Sequence, residues 1–342
     1  MSNLLVDVTT IEQLLPHTNA DSLEIAVIKG WQVVVAKGKH QVGEKMVYFP
    51  PDTVLPVEVS DRFGVTKYLS NGRIRCAKLR GEPSFGLAVT PDDLTWKVGT
   101  EVSAHYGATK YEPPLRPTAG DALPPHPLFP KYTEIENMRS YPDIFEQGEL
   151  VMLSEKIHGT SCRIGMVEGE WMAGSMEVRR AQPEREEAYR GNLYWFPYTI
   201  EPIHSLINAL QAAGHRQIIL YGEVYGPKVQ TLHYGLSKDT LGFRAFDLLI
   251  DGKYCDWLDF LLLCSTRGVE TVPHIATIPY TIDAIRAYSS GHTLLMKEGA
   301  HIREGLVVRP CRERTDMKVG RVILKYLSDD YLFGKNSDYK DV

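Results

Sequence analysis

The chain has 342 residues, 43% of them hydrophobic, which is enough to bury a large core and suggests two domains rather than one. Its formal net charge of -5, from 38 Lys and Arg against 43 Asp and Glu, argues against indiscriminate binding to phosphate backbones. Five scattered cysteines, odd in number and without a C-x-x-C pair, exclude a disulfide framework and a structural zinc site.

In chain order, the opening "MSNLLVDVTT" lacks a basic segment followed by an apolar run, so no secretory signal is expected. The greasiest run, "WLDFLLLC", is too short to span a bilayer and carries Asp259. No membrane is expected as a partner, and a cytoplasmic protein is expected. Residues 1–105 alternate apolar and polar positions in "SLEIAVIKG", "WQVVVAKG" and "KMVYFPP", with Gly and Pro at the joints. That pattern predicts short antiparallel strands closing a small barrel. Within it, "RFGVTKYLSNGRIRCAKLRG" gathers Arg62, Lys67, Arg73, Arg75, Lys78 and Arg80 with no acid among them. A second basic region runs from Arg309 to Lys325. Each is a candidate nucleic-acid footprint or an ordinary solvated face.

Residues 106–127 are expected to be a proline-rich linker, since "YEPPLRPTAGDALPPHPLFP" precludes both a helix and a central strand. Residues 128–342 predict a mixed α+β domain. Its strands are "LVMLSEKI", "QIILYGEVYG", "FRAFDLLID", "EGLVVRP" and "RVILKYLS", and its helices fall at "IEPIHSLINALQAAG" and "YTIDAIRAYSS".

Five of these segments set a charged or aromatic residue beside small ones at a strand. A core strand gains nothing from an embedded charge, since burying one unpaired costs several kcal/mol. Lys156, Glu223, Asp247, Glu304 and Lys325 are therefore expected to converge on one polar site. Lowering a lysine pKa from about 10.4 toward 7 requires roughly 4–5 kcal/mol against its ammonium form, and burial, a second lysine and a cation all act that way. Carboxylates could hold a hydrated cation and ribose hydroxyls, and Lys325 could neutralise a phosphate. Such a set implies attack by Lys156 on a nucleotide α-phosphorus, with departure of pyrophosphate.

The ordered set "EKIHGTS", "YGEVYG", "FRAFDL", "EGLVVRP" and "ILKYLS" resembles the signature elements of covalent nucleotidyltransferases, and within them ATP-dependent RNA ligases. The resemblance implies that Lys156 is the catalytic nucleophile that takes AMP from ATP. It implies that Glu155 reads the adenine edge, Glu223 holds the ribose, Phe246 stacks on adenine and Lys325 contacts the AMP phosphate. His158, Gly159 and Arg179, the last preferred over Arg180, would complete the nucleotide site. Asp247 would support the site, and Glu304 would bind Mg2+ or Mn2+ through water. His158 stands where DNA ligases usually carry aspartate and so favours RNA. A second lysine common in the family two residues after Lys325 is here Leu327, with Lys318 and Arg321 as candidate substitutes.

At the other end, "LPHTNADSLEIAVIKGWQVVV" resembles the opening of tRNA-binding OB barrels. An OB module ahead of the catalytic domain is similar to the fifth RNA ligase family. The implied architecture is an N-terminal OB-like β-barrel followed by a ligase-type domain of mixed antiparallel sheets with flanking helices. The implied enzyme is a monomer that joins RNA 3′-hydroxyl and 5′-phosphate ends, as at a nick in a duplex. A capping-type guanylyltransferase and a noncatalytic OB-fold RNA-binding protein are the alternatives.

Overall fold

A computed structural model describes residues 4–112, 121–297 and 301–333. Of the expected linker, residues 113–120 lie outside the described residues. The chain divides into two compact units, one of Met1–Pro114, Asn137–Asp143 and Asp329–Val342, the other of Leu115–Glu136 and Ile144–Ser328.

In the first unit, the expected short strands form. Asp7–Thr10, Lys45–Phe49 and Leu87–Val89 make one antiparallel sheet, and Gln13–Pro16, Leu23–Ile28 and Trp31–Ala36 make another. The alternation read in "WQVVVA" is real, since Trp31, Val33 and Val35 are buried and the residues between them are not. A hairpin, Cys76–Leu79 with Glu82–Phe85, is tied to the second sheet where Ser84 Oγ accepts from Val34 N at 3.0 Å. Val6, Val8, Val47, Phe49, Leu55, Ile74, Val102 and Tyr106 make its core. Two distant pieces of chain complete the unit. Arg139 pairs with Asp329 at 2.6 Å and lies 4.7 Å over the ring of Phe85, which Phe333 meets edge-on at 5.5 Å.

The second unit is built on two sheets. One has the order Ala122–Leu123, Arg179–Arg180, Glu170–Ser175, Thr160–Val167, Gln217–Tyr225, Gly242–Ile250, Lys253–Tyr254. The other sets Leu324–Leu327, Gly305–Pro310, Leu150–Lys156 and His274–Pro279 side by side. The helix Glu201–Ala212 buries Ile203, Leu206, Ile207 and Leu210 on one face, as its apolar spacing predicts. Beside it in the same core lies Trp257–Arg267, which buries Trp257, Phe260 and Cys264 and ends at Gly268 with φ 75°. The third helix, Ile282–Ser289, starts where Thr281 Oγ1 accepts from Ala284 N at 3.1 Å. No helix among the described residues is long and apolar enough to cross a membrane.

Candidate active site

The strand Leu150–Lys156 is paired on both sides, and its Val151–Glu155 stretch is buried. Such a strand holds its terminal residue rigidly. Lys156 stands opposite Gly305, whose neighbour Glu304 thereby comes within reach. Lys156 Nζ lies 2.7 Å from Glu304 Oε1. Two glycines permit the close approach of backbones here. A Cβ on Gly305 would sit 2.2 Å from Tyr326 O, and one on Gly159 would sit 2.3 Å from Val224 O and 2.9 Å from Glu223 Cγ.

A cavity of about 210 Å³ opens between the two sheets of this unit, lined by Lys156, Glu155, Glu223, Phe246 and Lys325 together with the hydroxyls of Ser154 and Ser161. Part of the lining is charged. Glu304 is pushed up by burial, but Lys156 and His158 outweigh that and hold its carboxyl below the usual range. Glu223 goes the other way. Burial raises it to about 8, the Lys156 charge only partly opposes this, and Glu304 adds to it. One carboxylate is ionised by its partner and the other keeps its proton to near neutral pH.

The lining also has an apolar part, with Phe246, Val272, Val307, Ile323 and Met176. Tyr132 meets Phe246 edge-on at 4.9 Å, and its hydroxyl donates to Asp247 Oδ2 at 2.6 Å. Asp247 is fully buried and faces two arginines, Arg309 Nη1 at 3.2 Å and Arg321 Nη2 at 2.7 Å. This charge cluster braces the strand that presents Phe246. A flat apolar slot beside ammonium and carboxyl groups fits the base, sugar and phosphates of a nucleotide.

For a divalent cation, the donors present are carboxylates. Glu304 Oε2 is buried without a hydrogen-bond partner, His158 Nδ1 standing 3.5 Å away, and this oxygen suits a cation or its bound water. No cluster of three or more His, Cys, Asp or Glu able to hold a metal occurs among the described residues. Glu304 and Glu223 fit a hydrated ion that takes its remaining ligands from water and phosphate.

The expected residues divide into three groups. Lys156, Glu223, Phe246 and Lys325 meet in the cavity, and Glu304, His158 and Gly159 stand directly behind them. Glu155 also lines the cavity, with Oε2 accepting the Leu294 amide hydrogen at 2.8 Å and Oε1 buried with no hydrogen-bond partner among the described residues. Arg179 is not brought to the cavity. Its strand pairs with Ala173–Gly174, and its Nη1 lies 3.9 Å from Met172 Sδ, while Arg180 is held by Asp121 at 2.7 Å. Arg321, a candidate phosphate contact, is consumed by Asp247 and by Glu313, 2.6 Å from its Nε. Lys318 lies at the exposed turn of the hairpin Thr315–Asp316 with Gly320–Arg321. Tyr132 and Ser154 had no signal in the sequence, being ordinary residue types at unremarked positions, and Ser161 closes the "EKIHGTS" element without a role assigned to it.

The RNA ligase family profile matches residues 149–327, a little over half of the chain, and spans Lys156, Glu223, Glu304 and Lys325. The chain belongs to the RNA ligase family. It is an enzyme of that class, acting on RNA. An OB-fold domain profile matches residues 5–91, so the ligase carries an OB fold at its N-terminal side. Among curated proteins no match is found. Solved structures of Naegleria gruberi RNA ligase share the fold. A point mutant with ATP and manganese is 23% identical, with a TM-score of 0.74 over 96% of this chain and 98% of that one. The same enzyme with pyrophosphate gives the same values. A second mutant, with AMP and manganese, is 22% identical with a TM-score of 0.77, again over 96% and 98%.

Proposed function

We propose that this RNA ligase is ATP-dependent and seals 3′-hydroxyl and 5′-phosphate RNA ends, at nicks in a duplex and as a monomer, with Lys156 as the nucleophile. The observation that carries the reading is the Lys156 amine held 2.7 Å from Glu304 in a cavity whose lining also includes the ring of Phe246. In the first step Lys156 gives up its ammonium proton, the resulting neutral amine forms an Nζ–P bond to the α-phosphorus of ATP and sheds a second proton to solvent, the α–β anhydride bond breaks, and pyrophosphate leaves. The AMP then passes to a 5′-phosphate, freeing Lys156, and the 3′-hydroxyl displaces it to form the phosphodiester. ATP, AMP and pyrophosphate, bound in the Naegleria structures, are the substrate, transferred group and leaving group of that first step.

Each side chain has a place in this scheme. Phe246 stacks on adenine, Glu223 holds the ribose, and Lys325 neutralises the α-phosphate. His158 and Gly159 shape the turn after the nucleophile, and Glu155, whose buried Oε1 has no hydrogen-bond partner among the described residues, reads the adenine edge. Glu304 and Glu223 would hold Mg2+ or Mn2+, which when bound supplies positive charge that favours the neutral amine and screens the phosphates. The exposed Lys67, Lys78 and Arg80 of the OB fold supply contacts to the phosphates of the nicked strands.

The test is incubation with α-labelled ATP and a divalent cation, followed by denaturing electrophoresis. The protein is expected to keep the label, because a phosphoramide bond is covalent, and Lys156→Ala is expected to take none. A labelled alanine variant would overturn the nucleophile assignment, and labelling by GTP instead of ATP would identify a guanylyltransferase.

A further inference from the structure

The loop joining Gln217–Tyr225 to Gly242–Ile250 returns to the turn that follows Lys156. Three of its side chains meet that turn. Gln230 Nε2 donates to Gly159 O at 3.4 Å, Thr231 Oγ1 lies 3.3 Å from His158 Nε2, and the Tyr234 hydroxyl accepts the His158 backbone N–H at 2.7 Å. The last is the shortest of the three and is fully buried. Tyr234 is 4% exposed and has φ 50°, a left-handed conformation that is costly for an aromatic residue. It is held there from several sides. Its backbone N–H donates to His301 Nε2 at 3.3 Å, and its ring stands edge-on to His301 at 4.6 Å and to Tyr225 at 5.2 Å. Burial lowers the pKa of His301, which favours the neutral ring that can accept this bond.

We propose that Tyr234 is a positioning residue for nucleotidyl transfer, its hydroxyl fixing the His158 amide and thereby the turn between the nucleophile Lys156 and the ring that faces Glu304. The proposal rests on the ligase reading above. Tyr234 touches none of the reacting atoms. It acts through His158, whose Nδ1 is 3.5 Å from Glu304 Oε2, the carboxylate whose other oxygen holds Lys156. In-line attack on phosphorus tolerates little error in the approach of the amine, so a loosened turn costs rate at saturating ATP rather than affinity for ATP.

Tyr234→Phe keeps the ring and its packing and removes only the acceptor. Lysyl-AMP formation from α-labelled ATP is measured against ATP concentration, alongside thermal unfolding and amide hydrogen exchange of the peptide spanning 157–159. The expected result is a fall of about tenfold in the maximal rate, with KM for ATP within about twofold, a Tm lowered by only a few degrees so that the protein stays folded at the assay temperature, and about tenfold faster exchange at the His158 amide. A variant that labels at the wild-type rate overturns the proposal. So does a loss of rate that follows a raised KM or unfolding at the assay temperature, since either marks a binding or purely structural role. Wild-type protein that takes no label overturns the ligase reading and this proposal together, which separates that failure from failure of the Tyr234 assignment alone.

Discussion

Arg309, Arg314 and Arg321 in the second unit and Lys67, Lys78 and Arg80 in the first come from two segments of similar cationic character. Their surroundings differ. Arg309 is 2% exposed and Arg321 8%, and both face Asp247, while Arg314 is held by Glu149 at 2.8 Å. Lys67, Lys78 and Arg80 are exposed, and Tyr68 beside them is 74% exposed with the Lys67 amine 5.0 Å from its ring. A buried guanidinium must be matched inside the protein, because its desolvation is repaid only by a close partner. An exposed one needs no internal partner and stays available to an external anion. In both segments the charges matched by acids brace the fold, Arg73 of the first unit pairing with Asp52 at 2.8 Å and Arg62 with Asp92 at 3.0 Å, and the exposed Lys67, Lys78 and Arg80 remain the candidates for RNA.

The comparison breaks most sharply at Asp247. Asp247→Asn is expected to lower stability by about 3–5 kcal/mol, since it leaves two buried arginines facing an amide. Urea denaturation measures this, and a loss under about 1 kcal/mol would mean that the buried cluster does not brace the sheet.

A smaller effect is expected at the aromatic slot beside the cluster. Phe246→Ala should reduce ATP use by roughly 10- to 100-fold, corresponding to about 1–3 kcal/mol of stacking, while Phe246→Trp retains most activity. Unfolding of both variants would make Phe246 a packing residue only.

The pH dependence sharpens the same contrast between matched and unmatched buried charge. Burial raises Glu223 from an ordinary 4.5 to about 8, so between those values the folded protein holds a proton that the unfolded chain has released. Stability from this group is therefore present at low pH and is lost as pH rises toward and through 8. Glu304, lowered by Lys156 and His158 against the effect of burial, contributes stability that is lost only as acid protonates it. Urea midpoints measured from pH 5.5 to 8.5 should fall with pH in the wild type, and the slope should flatten in Glu223→Gln. An equal slope in the variant would assign the titration to another group.

The smallest effect on the fold is expected at the exposed cations. Lys78→Ala with Arg80→Ala should change stability by less than about 0.5 kcal/mol. It should nevertheless make the salt dependence of binding to nicked RNA shallower by about one to two units of log K against log salt. An unchanged slope would remove this hairpin from the RNA interface.

Much of the catalytic set was legible because its chemistry is at odds with its surroundings. Lys156, Glu223 and Glu304 each interrupt or end an apolar strand, and a charge there is tolerated only with a purpose. The helix Glu201–Ala212 was equally readable from its spacing. Trp257–Arg267 was not, because Leu258 and Leu262 stand exposed at 69% and 62% and blur the apolar stripe. Thr160–Val167 lacked the alternation of a half-exposed strand, since six consecutive residues from Cys162 are buried on both faces.

Local pattern thus told which residues gather at the candidate site, but it carried no information on which of them touch. The Lys156–Glu304 pair depends on the register that sets Lys156 against Gly305, and the retirement of Arg321 from phosphate binding depends on Asp247 arriving from another sheet. Tyr132 and Tyr234 are common aromatics in irregular segments, and only their meeting with Asp247 and with the His158 amide gives them a role. Residue identity reports the cost of burying a group, whereas contact between distant segments follows from strand pairing and packing across the sheets, which no short stretch of chain encodes.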